Sequence, residues 1–141
     1  MLVCHQSGPN AADIKEIKKL GGIDSQWICH NHDTLRDGLH EKLHKQFGCE
    51  LRFHSVERPK VRKKTKCPLD PFDGDQPEVG SDFQALYFPA CSEGHSVYRW
   101  RYYLFTSHSM YIEDNKWQIQ CRIRPQAAKV AKLPVDYVFP G

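Results

Sequence analysis

No apolar run in the 141 residues approaches the roughly 20 needed to span a bilayer, which excludes a hydrophobic membrane helix. The opening Met1-Leu2-Val3-Cys4-His5 has neither a basic stretch nor an apolar one, so it does not read as a signal peptide. The chain has no G-x-S-x-G elbow, no phosphate-binding G-x-x-x-x-G-K-S/T loop, no G-x-G-x-x-G turn and no internal repeat. Those gaps remove the simplest signatures of serine hydrolases, nucleotide hydrolases and dinucleotide enzymes. No C-x-x-C pair occurs either, and structural zinc sites usually have close cysteine pairs.

Six cysteines (4, 29, 49, 67, 91 and 121) are scattered instead, an even count that suggests disulfides between distant elements and an oxidising compartment. Sequence alone does not choose their pairing. Hydrophobic residues at 40% and aromatics at 11% suffice for one folded domain spanning 1–141. The net charge of +3 is mild but unevenly spread. Arg52, Arg58, Lys60, Arg62, Lys63, Lys64 and Lys66 form a basic block opposed only by Glu57. Asp70, Asp73, Asp75, Glu78 and Asp82 follow as an acidic one. Adjacent blocks of opposite sign mark a solvated loop over residues 57–81, whose basic half could meet phosphate.

Asn10 caps a helix over residues 10–22 whose apolar face is Ile14, Ile17 and Leu20, stopped by Gly21-Gly22. A short strand covers Gln26–Cys29. Asp33 caps a second helix with Leu35, Leu39, Leu43 and Phe47 at four-residue spacing, ended by Gly48. Leu51–Val56 alternates as a strand, and Phe83–Phe88, Val97–Thr106 and Trp117–Ile123 add three more. Met110-Tyr111-Ile112 adds a short strand before the Asp114-Asn115 turn. The tail 125–141 reads as an extended arm. Helices first and consecutive strands after predict an α+β fold with an antiparallel sheet.

Two histidine groupings could carry metal chemistry. Cys29, His30 and His32 crowd together, and His40 and His44 sit at i and i+4 on one helix face, so a Cys/His zinc-binding module is one alternative. Acid–base cleavage of RNA is another, because His54, Arg101 and His108 supply a base, a phosphate-binding cation and an acid.

Trp27-Ile28-Cys29 matches an aromatic-x-Cys motif and is followed by an amphipathic helix. Tyr87-Phe88-Pro89, Tyr102–Thr106 and a closing Cys121 come later. Over residues 26–124 this order resembles the RNase-like secreted effectors of powdery mildew fungi (the RALPH group), themselves similar to guanyl-specific fungal ribonucleases. The resemblance implies a ribonuclease-like α+β fold, with a central helix on a twisted antiparallel sheet. The 10–22 helix and the 125–141 arm would be additions to it. It also implies a Cys29–Cys121 disulfide. Tyr87 and Tyr102 stand where such enzymes carry Glu and Arg, and the last histidine position falls near Glu113 or Asp114. No catalytic residue, metal or cofactor is therefore carried over. The implied protein is a secreted, monomeric, non-enzymatic virulence (avirulence) effector binding a host plant protein or immune receptor. Its candidate contact surfaces are Arg58, Lys60, Arg62, Lys63, Lys64 and Lys66 on the loop and Tyr98, Trp100 and Tyr102 on the aromatic strand. Those surfaces together would also suit RNA, and an active secreted ribonuclease is the further alternative.

Overall fold

The computed structural model describes residues 1–4, 8–76 and 82–140, leaving the Cys4 side chain aside. The chain runs β1 (Leu2–Cys4), α1 (Ala11–Lys19), β2 (Ser25–Ile28), α2 (Leu39–Phe47), β3 (Glu50–His54), α3 (Arg58–Val61) and β4 (Leu69–Phe72). It continues with β5 (Phe83–Tyr87), β6 (Ser96–Trp100), β7 (Tyr103–Ser107), β8 (Met110–Glu113), β9 (Lys116–Ile119), α4 (Arg124–Val130) and β10 (Tyr137–Pro140). Single 3-10 turns occupy Asn31–Asp33 and Ser55–Glu57.

Strands β1 to β4 form one sheet in chain order, every neighbouring pair parallel. A second sheet has the order β10-β7-β6-β5, antiparallel except for the parallel β10–β7 pair, and β8–β9 is a separate hairpin. Parallel neighbours need a crossover, and α1, α2 and α3 supply one after each of the first three strands.

Side-chain alternation along the strands sorts the apolar residues into three layers. Trp27, Phe72, Phe83, Ala85 and Tyr98 interlock between the sheets. Ile28, Leu51 and Phe53 point to the other face of the first sheet and meet Ile14, Ile17, Leu43 and Val61 from the helices. Leu86, Val97 and Leu104 on the outer face of the second sheet pack with Met110 and Val130. The result is helix, sheet, sheet, helix. At the mutual core, the Trp27 ring lies 4.7 Å from Phe83 and 5.4 Å from Tyr98, and Arg52 covers it at 4.5 Å.

This architecture corrects the ribonuclease-like expectation. The helix α2 does not lie on one antiparallel sheet; it shields a parallel sheet whose opposite face is covered by a second sheet. Alternating strands and helices favour a parallel sheet, and the strand–helix–strand succession of the first 54 residues has that form. The stretch 57–76 is not a structureless loop, since it holds α3 and the core strand β4; the rest of that expected loop, 77–81, lies outside the described residues. Val97–Thr106 is two strands broken at Arg101, whose φ of 53° reverses the chain. The arm contains α4 and the parallel strand β10.

The helix ends follow local chemistry. Asn10 Oδ1 accepts from the amides of Ala12 and Asp13, while Asp13 Oδ2 accepts from Asn10 N–H, a reciprocal cap. Helix α2 starts later than Asp33, because that carboxylate is taken by His30 and Ser107. Gly48 closes α2 at φ 74°, donating its N–H to His44 O. No disulfide joins the five described cysteines, so the Cys29–Cys121 expectation is also corrected. Cys29 lies in the core between the sheets, whereas Cys121 packs at the edge of the outer layer beside α4. Those are different layers of the molecule.

His40, expected as half of a zinc pair with His44, is a structural group. Its Nδ1 donates to Gln26 Oε1 at 2.7 Å and its Nε2 accepts from Leu35 N–H at 2.9 Å. Gln26 in turn donates to the carbonyls of His40 and Cys49. Both ring nitrogens are spent, and the Leu35 amide has no room for a second proton opposite it. Burial accordingly pushes the pKa down to about 4. The folded pKa lies below the unfolded value near 6.5, so this contribution is complete above pH 6.5 and is lost as pH falls toward 4. That separation corresponds to about 3 kcal/mol. An NMR titration of the histidine ring signals should find His40 neutral down to about pH 4; a midpoint near 6.5 would contradict the network.

Candidate metal centre

The carboxyl ends of β2 and β3 open toward the turn that precedes β6 and the turn that follows β7, and chemistry-bearing side chains collect there. Open α/β sheets commonly place their sites beyond the carboxyl ends of the strands. Strand β2 ends at Ile28, and the chain at once presents His30, His32 and Asp33 around a 3-10 turn. The turn before β6 contributes Cys91 and His95, and the end of β7 contributes His108. The rings of His32, His95 and His108 have centroids 4.9, 5.1 and 5.1 Å from that of His30.

Two triplets of ligand atoms fall within 4.8 Å of one another: His30, Cys91 and His95, and His30, His32 and His108. His30 and His95 are fully buried, whereas His32 and Cys91 are exposed and His108 is half-buried. The tautomers follow from the partners. His30 Nδ1 faces Asp33 Oδ2 at 3.1 Å, and His95 Nδ1 faces the Phe88 carbonyl at 3.1 Å. Each of these acceptors takes an Nδ1–H, so Nε2 is the nitrogen that each ring, when neutral, has left to offer. Both Nε2 atoms are buried without a hydrogen-bond partner among the described residues. A buried imidazole nitrogen left without a partner costs free energy unless something fills the place. Two such nitrogens, on rings 5.1 Å apart and steered by a carboxylate and a carbonyl, are the arrangement of histidines that ligate a metal ion. The residues present fit such an ion.

The supports are equally specific. Asp33 is fully buried, and its second oxygen accepts from Ser107 Oγ at 3.0 Å, so β7 orients it. Glu57 ties the two histidine-bearing turns together. Its Oε2 accepts from the backbone and side-chain amides of Asn31 at 3.1 and 2.6 Å, and its Oε1 accepts from Gly94 N–H at 3.1 Å. Lys64 Nζ adds a bond to the Asn31 carbonyl at 2.6 Å. Strand β6 joins β2 here too, through Ser96 N–H to Cys29 O at 2.9 Å and Tyr98 OH to Ile28 O at 2.5 Å.

Charge is sorted within the cluster. Burial opposes charge on His30, but the Asp33 hydrogen bond and the neighbouring Cys91 thiol outweigh it and lift the pKa to about 9. Burial, then the His30 charge, pushes His95 down to about 4. His32 is lowered as well, by partial burial and by the charges of His30, Lys64 and His108. Burial alone would raise Glu57; the hydrogen bonds from Asn31 and Gly94 hold it below the usual carboxylate value.

Of the residues singled out in the sequence, His30, His32 and His108 meet here, although His108 was read there for RNA cleavage. Cys29 contributes its carbonyl to the support and its side chain to the inter-sheet core. His44 turns inward to the Cys49 carbonyl. His54 lies apart from the cluster, stacked on Tyr87 at 4.3 Å. Arg58, Lys60, Arg62, Lys63, Lys64 and Lys66 are exposed around α3. Trp100 and Tyr102 are exposed, but Tyr98 is fully buried between the sheets and offers no surface to a ligand. His95 and Cys91 were missed, because more than 60 residues separate them from His30. The alternating His30-Asn31-His32-Asp33 after a strand was the one local signal.

No family model matches the chain, and no curated protein matches it. Solved structures do. TTHA1623, solved in a di-iron-bound form, aligns over 99% of this chain and 79% of its own, at 16% identity and a TM-score of 0.68. The metallo-beta-lactamase MIM-1 from Novosphingobium pentaromativorans aligns over 98% and 65%, at 18% identity and a TM-score of 0.62. The archaeal metallo-beta-lactamase superfamily protein ST1585 from Sulfolobus tokodaii aligns over 87% and 62%, at 14% identity and a TM-score of 0.59. The chain thus has the metallo-beta-lactamase fold and spans less than two thirds of the last two proteins. The fungal effector reading, and the non-enzymatic scaffold inferred with it, rested on a ribonuclease-like fold and fall with that fold.

The Glu57 tie has a measurable weight. A Cβ at Gly94 would come within 2.7 Å of Glu57 Cγ and 3.0 Å of its backbone nitrogen, so Gly94→Ala must displace one of the two turns. Gly94→Ala should lower stability by about 1–3 kcal/mol in urea unfolding. Glu57→Gln, which turns an amide toward donors, should cost about 3 kcal/mol. Unaltered midpoints in both would show that the turns are held by other contacts.

Proposed function

We propose that the protein is a metal-dependent hydrolase whose centre is built on His30 and His95, with His32 and His108 beside them. The observation that carries the reading is the pair of buried, unpartnered Nε2 atoms at the carboxyl edge of the parallel sheet. Support comes from the fold, shared with metallo-beta-lactamases, and from the di-iron-bound form of one similar structure. Imidazole donors suit zinc, iron, cobalt or nickel and disfavour magnesium and calcium. An ion held there supplies Lewis acidity toward a carbonyl or phosphoryl oxygen and toward water.

The chain's own residues do the rest. Asp33 fixes the His30 tautomer and offsets positive charge beneath the cluster. Glu57 and Lys64 keep the Asn31 turn in place, so His30 and His32 approach from one side while His95 approaches from the other. Exposed His32 and half-buried His108 border the open side, where a substrate would arrive.

Purified full-length protein should contain transition metal at one or two equivalents by elemental analysis. His30→Ala combined with His95→Ala should bring it below about a tenth of that value. Metal-loaded protein should hydrolyse at least one member of a chromogenic panel of β-lactam, ester, thioester and phosphodiester substrates, and the double variant none. Stoichiometric metal retained in the double variant would overturn the site, and hydrolysis surviving full metal removal would overturn the mechanism.

The proton competition has a sign as well. With its pKa at about 9 in the metal-free protein, His30 must release a proton to bind, so affinity should rise with pH between about 6 and 9. Metal titrations at several pH values check this; an affinity independent of pH across that range would contradict it.

A further inference from the structure

Among the described residues, Cys91 is the one exposed thiol facing the cluster, and nothing in the proposed hydrolase requires it. Its sulfur lies within 4.8 Å of the ligand atoms of both His30 and His95. Those two imidazoles are fully buried, have their Nδ1 atoms committed to Asp33 and Phe88, and carry the unpartnered Nε2 atoms. Asp33 is committed to His30 and Ser107, so it is placed to orient a ligand. We propose that Cys91 is a thiolate ligand, completing with His30 and His95 a mixed nitrogen–sulfur position for zinc, ferrous iron or cobalt. This rests on the metal-centre reading above and specifies its donor set.

The choice between the two triplets follows from lone pairs and charge. Both share His30, which has one nitrogen to give, and that lone pair serves one ion. On one side, His32 and His108 bring two neutral donors from exposed and half-buried positions. On the other, His95 is fully buried with its Nδ1 already committed to the Phe88 carbonyl, and Cys91 brings an anion. A divalent ion leaving water for a partly buried site gains more where a ligand cancels part of its charge. Binding would break the Cys91 S–H bond and the His30 Nε2–H bond in favour of sulfur–metal and nitrogen–metal bonds, and both protons would leave to solvent, which reaches Cys91 directly. None of the other described cysteines belongs to either triplet. Cys121 instead directs its Sγ to the Ile123 carbonyl at 3.3 Å.

Cobalt reads the donor set directly. Metal-free full-length protein is titrated with Co(II) and its spectrum compared with those of Cys91→Ser and Cys121→Ser. Wild type and Cys121→Ser should show a near-ultraviolet thiolate-to-cobalt charge-transfer band with the visible d–d bands. Cys91→Ser should keep visible bands, lose the ultraviolet one and bind at least about tenfold more weakly. Cobalt should also protect Cys91 from iodoacetamide, a peptide-mapping readout that needs no variant. Visible bands in wild type without the charge-transfer band, or a band persisting in Cys91→Ser, would overturn the thiolate ligand and leave the metal centre standing. No cobalt uptake by wild type would overturn both.

Discussion

The buried carboxylate of Glu57 is the constraint on which the candidate centre depends. It hangs from the 3-10 turn after β3 and accepts hydrogen bonds from the turns that carry the histidines, Asn31 on one side and Gly94 on the other. A carboxylate with 1% exposure survives burial only when donors surround it. Here those donors are the amides whose positions matter most. Gly94 has no Cβ, which lets the second turn approach closely enough for its amide to bond. One acid therefore sets the distance between His30 and His95, which belong to different sheets.

The layers explain why such a bridge is available. Strand β3 is central in the parallel sheet, between β2 and β4, so its carboxyl end lies beside that of β2. The second sheet is docked through Trp27, Phe83 and Tyr98, and Tyr98 OH reaches across to the Ile28 carbonyl where β2 ends. That contact and the Ser96–Cys29 backbone bond bring β6 to the end of β2. His95 precedes β6 directly, so docking the sheets delivers it to His30. Packing of aromatic residues outside the site thus assembles the candidate ligands.

Helix α1, helix α2 after Leu39, β2, β3, β5 and the β8–β9 hairpin were legible in the sequence, because each is specified by local periodicity or caps. Asp114 and Asn115, both at positive φ, make the tight turn their residue types announce. Sheet identity was not legible. Strand β2 reads Ser-Gln-Trp-Ile, and three of its four residues are buried, including Gln26. A strand buried on both faces carries no alternation to show which sheet it joins. The short aromatic and cysteine motifs then fitted another fold, since a Trp and a Cys two residues apart mark a core strand in many architectures. Pro125 hid α4 by resembling an arm, although a proline early in the first turn is compatible with a helix. The site was half visible. His30, His32 and His108 drew notice, but two different chemistries were attached to them, since only docking of the second sheet brings in His95 and Cys91.

His40 and His95 show what separates a structural histidine from a candidate ligand when composition and burial agree. Both rings are fully buried, and burial depresses both to about 4. Depth and basicity therefore do not discriminate. The second nitrogen does. His40 gives one nitrogen to Gln26 and the other to the Leu35 amide, which closes the ring's hydrogen bonding inside the fold. His95 gives one nitrogen to Phe88 and holds the other buried without a partner among the described residues, beside the ring of His30, whose Nε2 is likewise without one. An isolated orphan of this kind can be a packing defect that the rest of the core tolerates. Two orphans facing each other, each with its tautomer fixed from behind, require coordinated placement from separate sheets. Folding alone gains nothing from that placement, which is the pattern expected where a site is kept for a ligand at the expense of stability.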